Sequence, residues 1–179
     1  MREVQGRLRE PWARVTTAGL VGALAGLALL GLAIARSGGF VPVLDHANLA
    51  FHEAGHPVYG LLGSTAALYG GTLGQLTFPL VTAAIFFWRR QPLGVAVGLA
   101  WLFENLFNIA RYCADARAQE LPLVGGGEHD WFHILVRWHA LSSDLRVAHA
   151  FRTIGTLGLL AVAVWLGWRW WQDAEPRDG

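Results

Sequence analysis

The sequence contains few charged residues and few sulfur-containing residues. Its 179 residues include one cysteine, Cys113, which excludes an intrachain disulfide and a thiolate zinc finger. Charged residues make up only 15%, lysine is absent, and the formal net charge of +1 excludes a nucleic-acid binder governed by bulk charge. Any metal held by this chain must therefore be bound through His, Asp and Glu.

The composition is instead dominated by apolar residues. Hydrophobic residues make up 54% of the chain, which also contains nine Trp and 22 Gly. Tryptophan favours membrane interfaces, and glycine is better tolerated in membrane helices than in soluble ones. We therefore predict an all-α integral membrane protein with a single membrane domain over residues 1–179. The expected location is a bacterial inner (cytoplasmic) membrane, and the lipid bilayer is an expected partner. The sequence does not indicate an oligomeric state.

The apolar runs predict a bundle of about five transmembrane helices. The predicted segments are 15–35, 40–62, 68–88, 93–114 and 152–170, each long enough to cross a bilayer at about 1.5 Å per residue. The stretch near 129–141 carries too many charges to span, which predicts a re-entrant or interfacial helix, and residues 172–179 form a polar tail. Ala33-Ile34-Ala35 mimics a signal-peptide cleavage site, but the length of the first segment favours a retained membrane helix.

Proline and glycine mark the boundaries of the middle segments. Pro57 predicts a kink or an end of the second helix, because proline cannot continue the hydrogen-bond ladder. Residues 63–75 are rich in Gly, Ser and Thr, which predicts a loop, a re-entrant piece or the loose start of a helix. Pro92 predicts the start of the fourth segment, since proline is favoured in the first turn of a helix.

A polar motif, His52-Glu53-Ala54-Gly55-His56, lies inside the second apolar segment. Histidines at i and i+4 of a helix point the same way and can bind one ion. Unliganded His and Glu are costly in a membrane, which favours a metal site over a chance match. We predict that His52 and His56 bind one Zn²⁺ per chain. Glu53 would be the catalytic general base that takes a proton from the zinc-bound water.

A catalytic zinc site needs a third protein ligand. Asp115 is the first choice, because a carboxylate suits zinc and Asp115 ends a polar stripe on the fourth segment. The stripe has spacings of four, three and four residues and consists of Glu104, Asn108, Arg111 and Asp115. The rival ligands are Glu104, His129, Asp130 and Asp45. Asp45 lies about two turns before His52, which also suits a partner for an imidazole N–H.

A second pair of histidines at i and i+4, His129 and His133, lies in the stretch 128–133 with Asp130 between them. This stretch can supply the third ligand, a second metal site or substrate-binding groups, or it is an interfacial helix with polar residues among headgroups. Further candidates near the site are Asn108 and Tyr112, followed by Asn105, Arg111 and Gln75. These groups can bind a peptide backbone or stabilise an oxyanion, or they form hydrogen bonds between helices.

The membrane-embedded HEAGH motif resembles that of the site-2 protease class of intramembrane zinc metalloproteases. In that family the first of three core helices carries HExxH, and the third carries an Asp ligand in an Asn/Pro-rich Asp-Gly motif. His52, Glu53 and His56 match directly, and Asp115 matches by position within residues 40–118. The chain has Asp115-Ala116 in place of Asp-Gly and lacks the preceding prolines. The resemblance implies hydrolysis of a peptide bond in a membrane protein or peptide substrate.

Other parts of the chain are similar to a group of bacterial multi-pass proteins that contain HEAGH. The similarity lies in residues 70–75, 112–117 and 127–131, and it implies no function. Two alternatives to a zinc hydrolase stay open. One is a di-iron oxidoreductase that uses both histidine pairs, and the other is a haem-binding or metal-transport protein without enzymatic activity.

Overall fold

The computed structural model describes residues 11–124 and 128–174, and within these ranges the regular structure is entirely helical. Six α-helices follow one another within these ranges. They are α1 (Thr17–Ser37), α2 (Leu44–Gly60), α3 (Ser64–Trp88), α4 (Pro92–Ala114), α5 (Asp130–Arg137) and α6 (Asp144–Ala174). A short 3₁₀ helix, Leu141–Ser143, precedes α6. The prediction of an all-helical protein is confirmed, although the N-terminal residues 1–10, the glycines 125–127 and the end of the tail, 175–179, lie outside the described ranges.

Among the described residues, four helices are long and apolar enough to cross a membrane: α1, α3, α4 and α6 with its preceding 3₁₀ turn. They correspond to four of the five predicted segments. The helix in the second segment, α2, has only 17 residues and is not among them. The predicted interfacial stretch near 129–141 contains α5, a helix of eight residues.

The three sequence signals predicted to mark helix boundaries have different outcomes. As predicted, α4 begins at Pro92. The Gly-rich stretch 63–75 is helical from Ser64 onward, so it is the start of α3 rather than a loop. Pro57 does not end α2, which continues to Gly60. The missing N–H of Pro57 removes one hydrogen bond of the helix, yet the helix continues for three more residues.

Close contact between the backbones of α2 and α3 explains the glycines of the Gly-rich stretch. A Cβ placed on Gly55 would collide with the Gly70 carbonyl, and a Cβ on Gly74 would collide with the Phe51 carbonyl. Glycine is the residue that permits such an approach, as in small-residue interfaces between membrane helices. The local propensity of glycine for loops is therefore outweighed by packing between the two helices.

The remaining helices join this pair mainly through α4. α4 packs between α3 and α6, and α5 lies against α3 and α4. A core cluster around Ile109, Trp131 and Leu135 fixes α5 to the C-terminal half of α4. The Arg117 Nε atom lies 2.7 Å from Asp144 Oδ2 and ties the end of the α4 region to the start of α6. α5 is thereby brought back over the middle of the bundle, where α2 carries its polar residues.

Candidate metal centre

Two histidines of α2 and one aspartate of α5 meet at a single point. The Asp130 Oδ2 atom lies 2.8 Å from His52 Nε2 and 3.2 Å from His56 Nε2. One ligand atom from each of the three residues lies within 4.8 Å of the others. Across the parts of the chain that the structure describes, this is the one group of His, Cys, Asp or Glu that could hold a metal ion. We call His52, His56 and Asp130 the ligand triad.

The other ring nitrogens of the two histidines are anchored by α3. His52 Nδ1 lies 3.2 Å from Gln75 Oε1, and His56 Nδ1 lies 2.9 Å from the Ala67 carbonyl oxygen. A carbonyl oxygen can only accept a hydrogen bond, so His56 Nδ1 carries the proton and donates it. In the neutral ring, Nε2 then presents a lone pair to Asp130. This is the outer-shell arrangement typical of metal-bound histidine.

The geometry of the triad fits a cation. A neutral His56 and an ionised Asp130 are both acceptors where they meet, and two acceptors at 3.2 Å repel each other unless a positive charge lies between them. A proton on the imidazole or a metal ion meets that need. Imidazole nitrogen and carboxylate oxygen are both zinc ligands, and three protein ligands leave a position for water. The residues present therefore fit a metal ion held by three protein ligands.

Packing around the triad restricts its side chains. A Cβ on Gly71 would occupy the position of the His52 ring, so glycine there makes room for the imidazole. The Asp130 backbone N–H donates to the Tyr112 hydroxyl at 3.1 Å, and the Tyr112 ring lies edge-on to His52 with centroids 5.7 Å apart. Tyr112 thus holds the first turn of α5 beside α2. It was predicted as a near-site residue, and it contacts two members of the triad.

Asp115, the predicted third ligand, occupies a different position. Its carboxylate oxygens accept hydrogen bonds from the backbone N–H groups of Glu120 and Leu121, at 3.0 and 3.1 Å. Oδ2 also lies 3.4 Å from His129 Nε2, an ion-pair distance rather than a well-formed hydrogen bond. The residue follows the end of α4 and organises the connection to α5. The structure brings Asp130, one of the rival ligands, to His52 and His56 in its place.

The second histidine pair does not converge on one point. His129 precedes α5 as its N-cap, and its Nδ1 accepts from the Phe132 N–H at 3.2 Å. Burial lowers the pKa of His129, and the Asp115 carboxylate opposes that shift. His133 Nε2 lies 2.9 Å from Glu128 Oε2, which is largely exposed. Neither histidine belongs to the group that could hold a metal.

A cavity of about 460 Å³ opens beside the triad. Both His52 and Glu53 line it, and Glu53 itself is exposed. The opposite wall comes from α4, and the segment 121–124 covers one side. Four residues predicted near the site line this wall or the wall of α3: Asn108, Arg111, Tyr112 and Gln75. We call this space the central cavity.

A buried polar network lies beyond the triad along α2 and was not predicted as such. The Asn48 amide nitrogen donates to Asp45 Oδ1 at 2.9 Å and to Glu104 Oε2 at 3.0 Å. Its amide oxygen accepts from Trp101 Nε1 at 2.8 Å and from Asn105 Nδ2 at 3.2 Å. Asp45 and Glu104, two of the rival ligands, are therefore engaged between helices, and neither contacts His52 or His56 in the way predicted for Asp45.

Comparison with known proteins does not assign the chain to a family. No family model, curated protein or solved structure matches it. The similarity to site-2 proteases thus rests on the motif residues alone, and the function must be argued from the ligand triad and its surroundings.

Proposed function

We propose that this protein is a membrane-embedded metallohydrolase with one Zn²⁺ held by His52, His56 and Asp130. The observation that carries the proposal is the convergence of two imidazole Nε2 atoms on one carboxylate oxygen, with His56 Nδ1 already committed to a backbone carbonyl. Four helices long and apolar enough to cross a membrane support its membrane location. The triad contains no sulfur ligand, as is typical of sites that bind hard or borderline divalent ions.

Glu53 is the general base of the proposed reaction. A bound zinc ion would supply a Lewis acid and an acidified water molecule. Glu53 follows the ligand His52 directly in the chain, and its carboxylate faces the central cavity. It can take a proton from water there and return it to the leaving group. Gln75 and the Ala67 carbonyl keep both imidazoles oriented, so the histidines hold their position while the proton moves.

The motif resemblance makes a peptide bond the first scissile bond to test. The di-iron alternative requires both histidine pairs near one centre. It is disfavoured because His129 and His133 pair with Asp115 and Glu128 instead. No observation on the described residues favours the haem alternative, so we retain the hydrolase as the single proposal.

Metal analysis of the purified full-length chain tests the proposal. Wild type, Asp115→Asn and Glu53→Gln should each contain close to one zinc per chain, whereas Asp130→Asn should lose most of it. Glu53→Gln should also lose about 10²- to 10⁴-fold in turnover of a membrane peptide library, the typical contribution of a general base. Full zinc content in Asp130→Asn, or two iron ions per chain in wild type, would refute the assignment.

A further inference from the structure

The central cavity is lined by both apolar and polar residues. Phe40, Leu49 and Leu121 contribute apolar surface, while Asn108 and Arg111 of α4 contribute polar groups. The same cavity reaches His52 and Glu53, so a molecule bound in it lies beside the ligand triad. A volume of about 460 Å³ is within the range of small-molecule and substrate pockets.

Arg111 is the cation of this cavity, and it is only partly exposed. Its guanidinium carbon lies 5.2 Å from the centroid of the Phe40 ring. Among residues 11–124 and 128–174, no side chain or carbonyl forms an ion pair or hydrogen bond with it. Its charge acts on Asp45 through space, but Asp45 is hydrogen-bonded to Asn48 and to the Val41 N–H. The N–H groups of Arg111 are therefore available to a ligand in the cavity.

Asn108 is a second polar residue of the cavity that is available to a ligand. It lies one turn before Arg111 on the same face of α4 and also lines the cavity. Its side-chain amide has no hydrogen-bond partner within the described ranges, although it is only partly exposed. A planar guanidinium fork and an amide N–H together are well suited to a carboxylate, which accepts two parallel hydrogen bonds from Arg and a third from a neighbour.

The charges around the cavity disfavour a ligand with more than one negative charge. Asp45 and Glu53 both line the cavity with Arg111 as the one arginine among its lining residues. A dianionic group such as a phosphate monoester would face two carboxylates with a single cation to offset them. A monoanionic carboxylate adds less repulsion and offers two acceptor oxygens to the Arg111 fork, and an apolar group attached to it matches the apolar lining.

We propose that the central cavity binds a carboxylate carried on an apolar group, with Arg111 and Asn108 as its recognition residues. As a statement about substrate, the inference rests on the proposed function: the scissile bond would lie between this carboxylate and the ligand triad. Binding itself does not depend on the metal. The carboxylate can come from the free C-terminus of an apolar peptide or from an amphiphilic acid.

Binding to metal-free, full-length protein in lipid nanodiscs tests the inference separately from the metal assignment. The probes are 4-phenylbutyrate, its uncharged amide, the dianionic 3-phenylpropylphosphonate, and acetyl-Leu-Leu-Leu with a free or amidated C-terminus. Isothermal titration calorimetry compares wild type with Arg111→Gln, Arg111→Lys and Asn108→Ala. Arg152→Gln is the matched control, because Arg152 is exposed on α6.

We expect Arg111→Gln to weaken binding of the carboxylate probes by about 10- to 100-fold, the scale of a hydrogen bond to a charged group. Arg111→Lys should fall in between, because it keeps the charge and loses the fork. The amides should bind all variants equally, which also reports that the cavity is intact, and the dianion should bind no better than the amides. The tighter of the two carboxylate probes identifies the source.

Two results would overturn the inference. The first is equal affinity of the carboxylates for wild type and Arg111→Gln, and the second is tighter binding of the dianion than of either carboxylate. A protein that binds no zinc but still selects carboxylates through Arg111 would refute the proposed function alone. A zinc hydrolase that does not discriminate acid from amide would refute this inference alone.

Discussion

The chain contains two histidine pairs with the same spacing and opposite outcomes. His52 and His56 converge on Asp130, whereas His129 and His133 each pair with a separate carboxylate. The difference lies in the backbone. Both histidines of the first pair are inside α2, but His129 is the N-cap of α5 and has extended φ and ψ angles of −79° and 103°. Spacing of i and i+4 aligns two side chains only when both residues are helical.

The two pairs also differ in what holds their Nδ1 atoms. In the first pair both Nδ1 atoms face oxygen acceptors on α3, which leaves both Nε2 atoms free to bind. In the second pair His129 Nδ1 accepts a backbone N–H, so in the neutral ring the proton lies on Nε2. A histidine that caps a helix in this way has little capacity left for a metal. The comparison predicts a set of graded effects.

The largest effect should come from removing the second histidine of the first pair, and the matched change in the second pair is its control. His56→Ala should weaken zinc affinity by more than about 100-fold, because even partners outside the ligand shell contribute about 10- to 100-fold. His133→Ala should change it by less than about twofold. Competition with a zinc-binding dye measures both. Equal losses in the two variants would show that the pairs act together.

A smaller loss should follow from removing the anchor of His52. Gln75→Leu keeps the approximate side-chain volume but deletes the acceptor for Nδ1, and we expect zinc affinity to fall by about 10- to 100-fold. Gln119→Leu is the control, since Gln119 lies on the exposed connection after α4. The same dye competition applies, and an unchanged affinity in Gln75→Leu would contradict the anchoring role.

Gly71→Ala tests how tightly the first pair is packed. The added Cβ would meet the His52 ring, so we expect a loss of about 1 to 3 kcal/mol in the free energy of unfolding, typical of overpacking. Gly22→Ala on α1 is the matched control, because a Cβ there meets nothing within 4 Å. Unfolding in mixed micelles of detergent and SDS measures both variants. A neutral Gly71→Ala would indicate that His52 moves freely.

The smallest effect should come from Tyr112→Phe, which removes the hydroxyl that accepts from the Asp130 N–H. We expect a loss of about 1 kcal/mol in the free energy of unfolding and a zinc affinity lowered by less than about tenfold. Tyr69→Phe serves for comparison, because its hydroxyl accepts from Trp138 Nε1 away from the triad. If both variants lose the same zinc affinity, Tyr112 does not position Asp130.

Much of the fold could be predicted from the sequence, since apolar runs of sufficient length report membrane-length helices directly. The start of α4 at Pro92 was predicted for the same local reason. For residues 63–75 the start of a helix was one of three predictions beside a loop and a re-entrant piece, because the choice depends on contacts with Gly55 and Phe51 of a different helix. The shortness of α2 also escaped prediction, since its apolar run extends beyond the helix at both ends.

The site was predictable only as far as one helix determines it. The HExxH spacing predicted that His52 and His56 share a face, because the geometry of a single helix determines this. The choice between Asp115 and Asp130 depended on how α5 folds back over α2, a long-range contact with no periodic signal in the sequence. Asp115 was favoured because it continues the stripe of α4, yet α4 ends before it and Asp115 turns to the backbone of the connection.

The contact between Asp130 and His52 joins residues separated by 78 positions in the chain. An ion shared between them would act as a reversible cross-link around most of α3, α4 and the connection to α5. A permanent link closing a loop of this length reduces the entropy of the unfolded chain by an amount worth about 4 to 5 kcal/mol. Removal of the ion by a chelator would break this cross-link. The helix α5 should then be the first part of the molecule to become accessible to a protease.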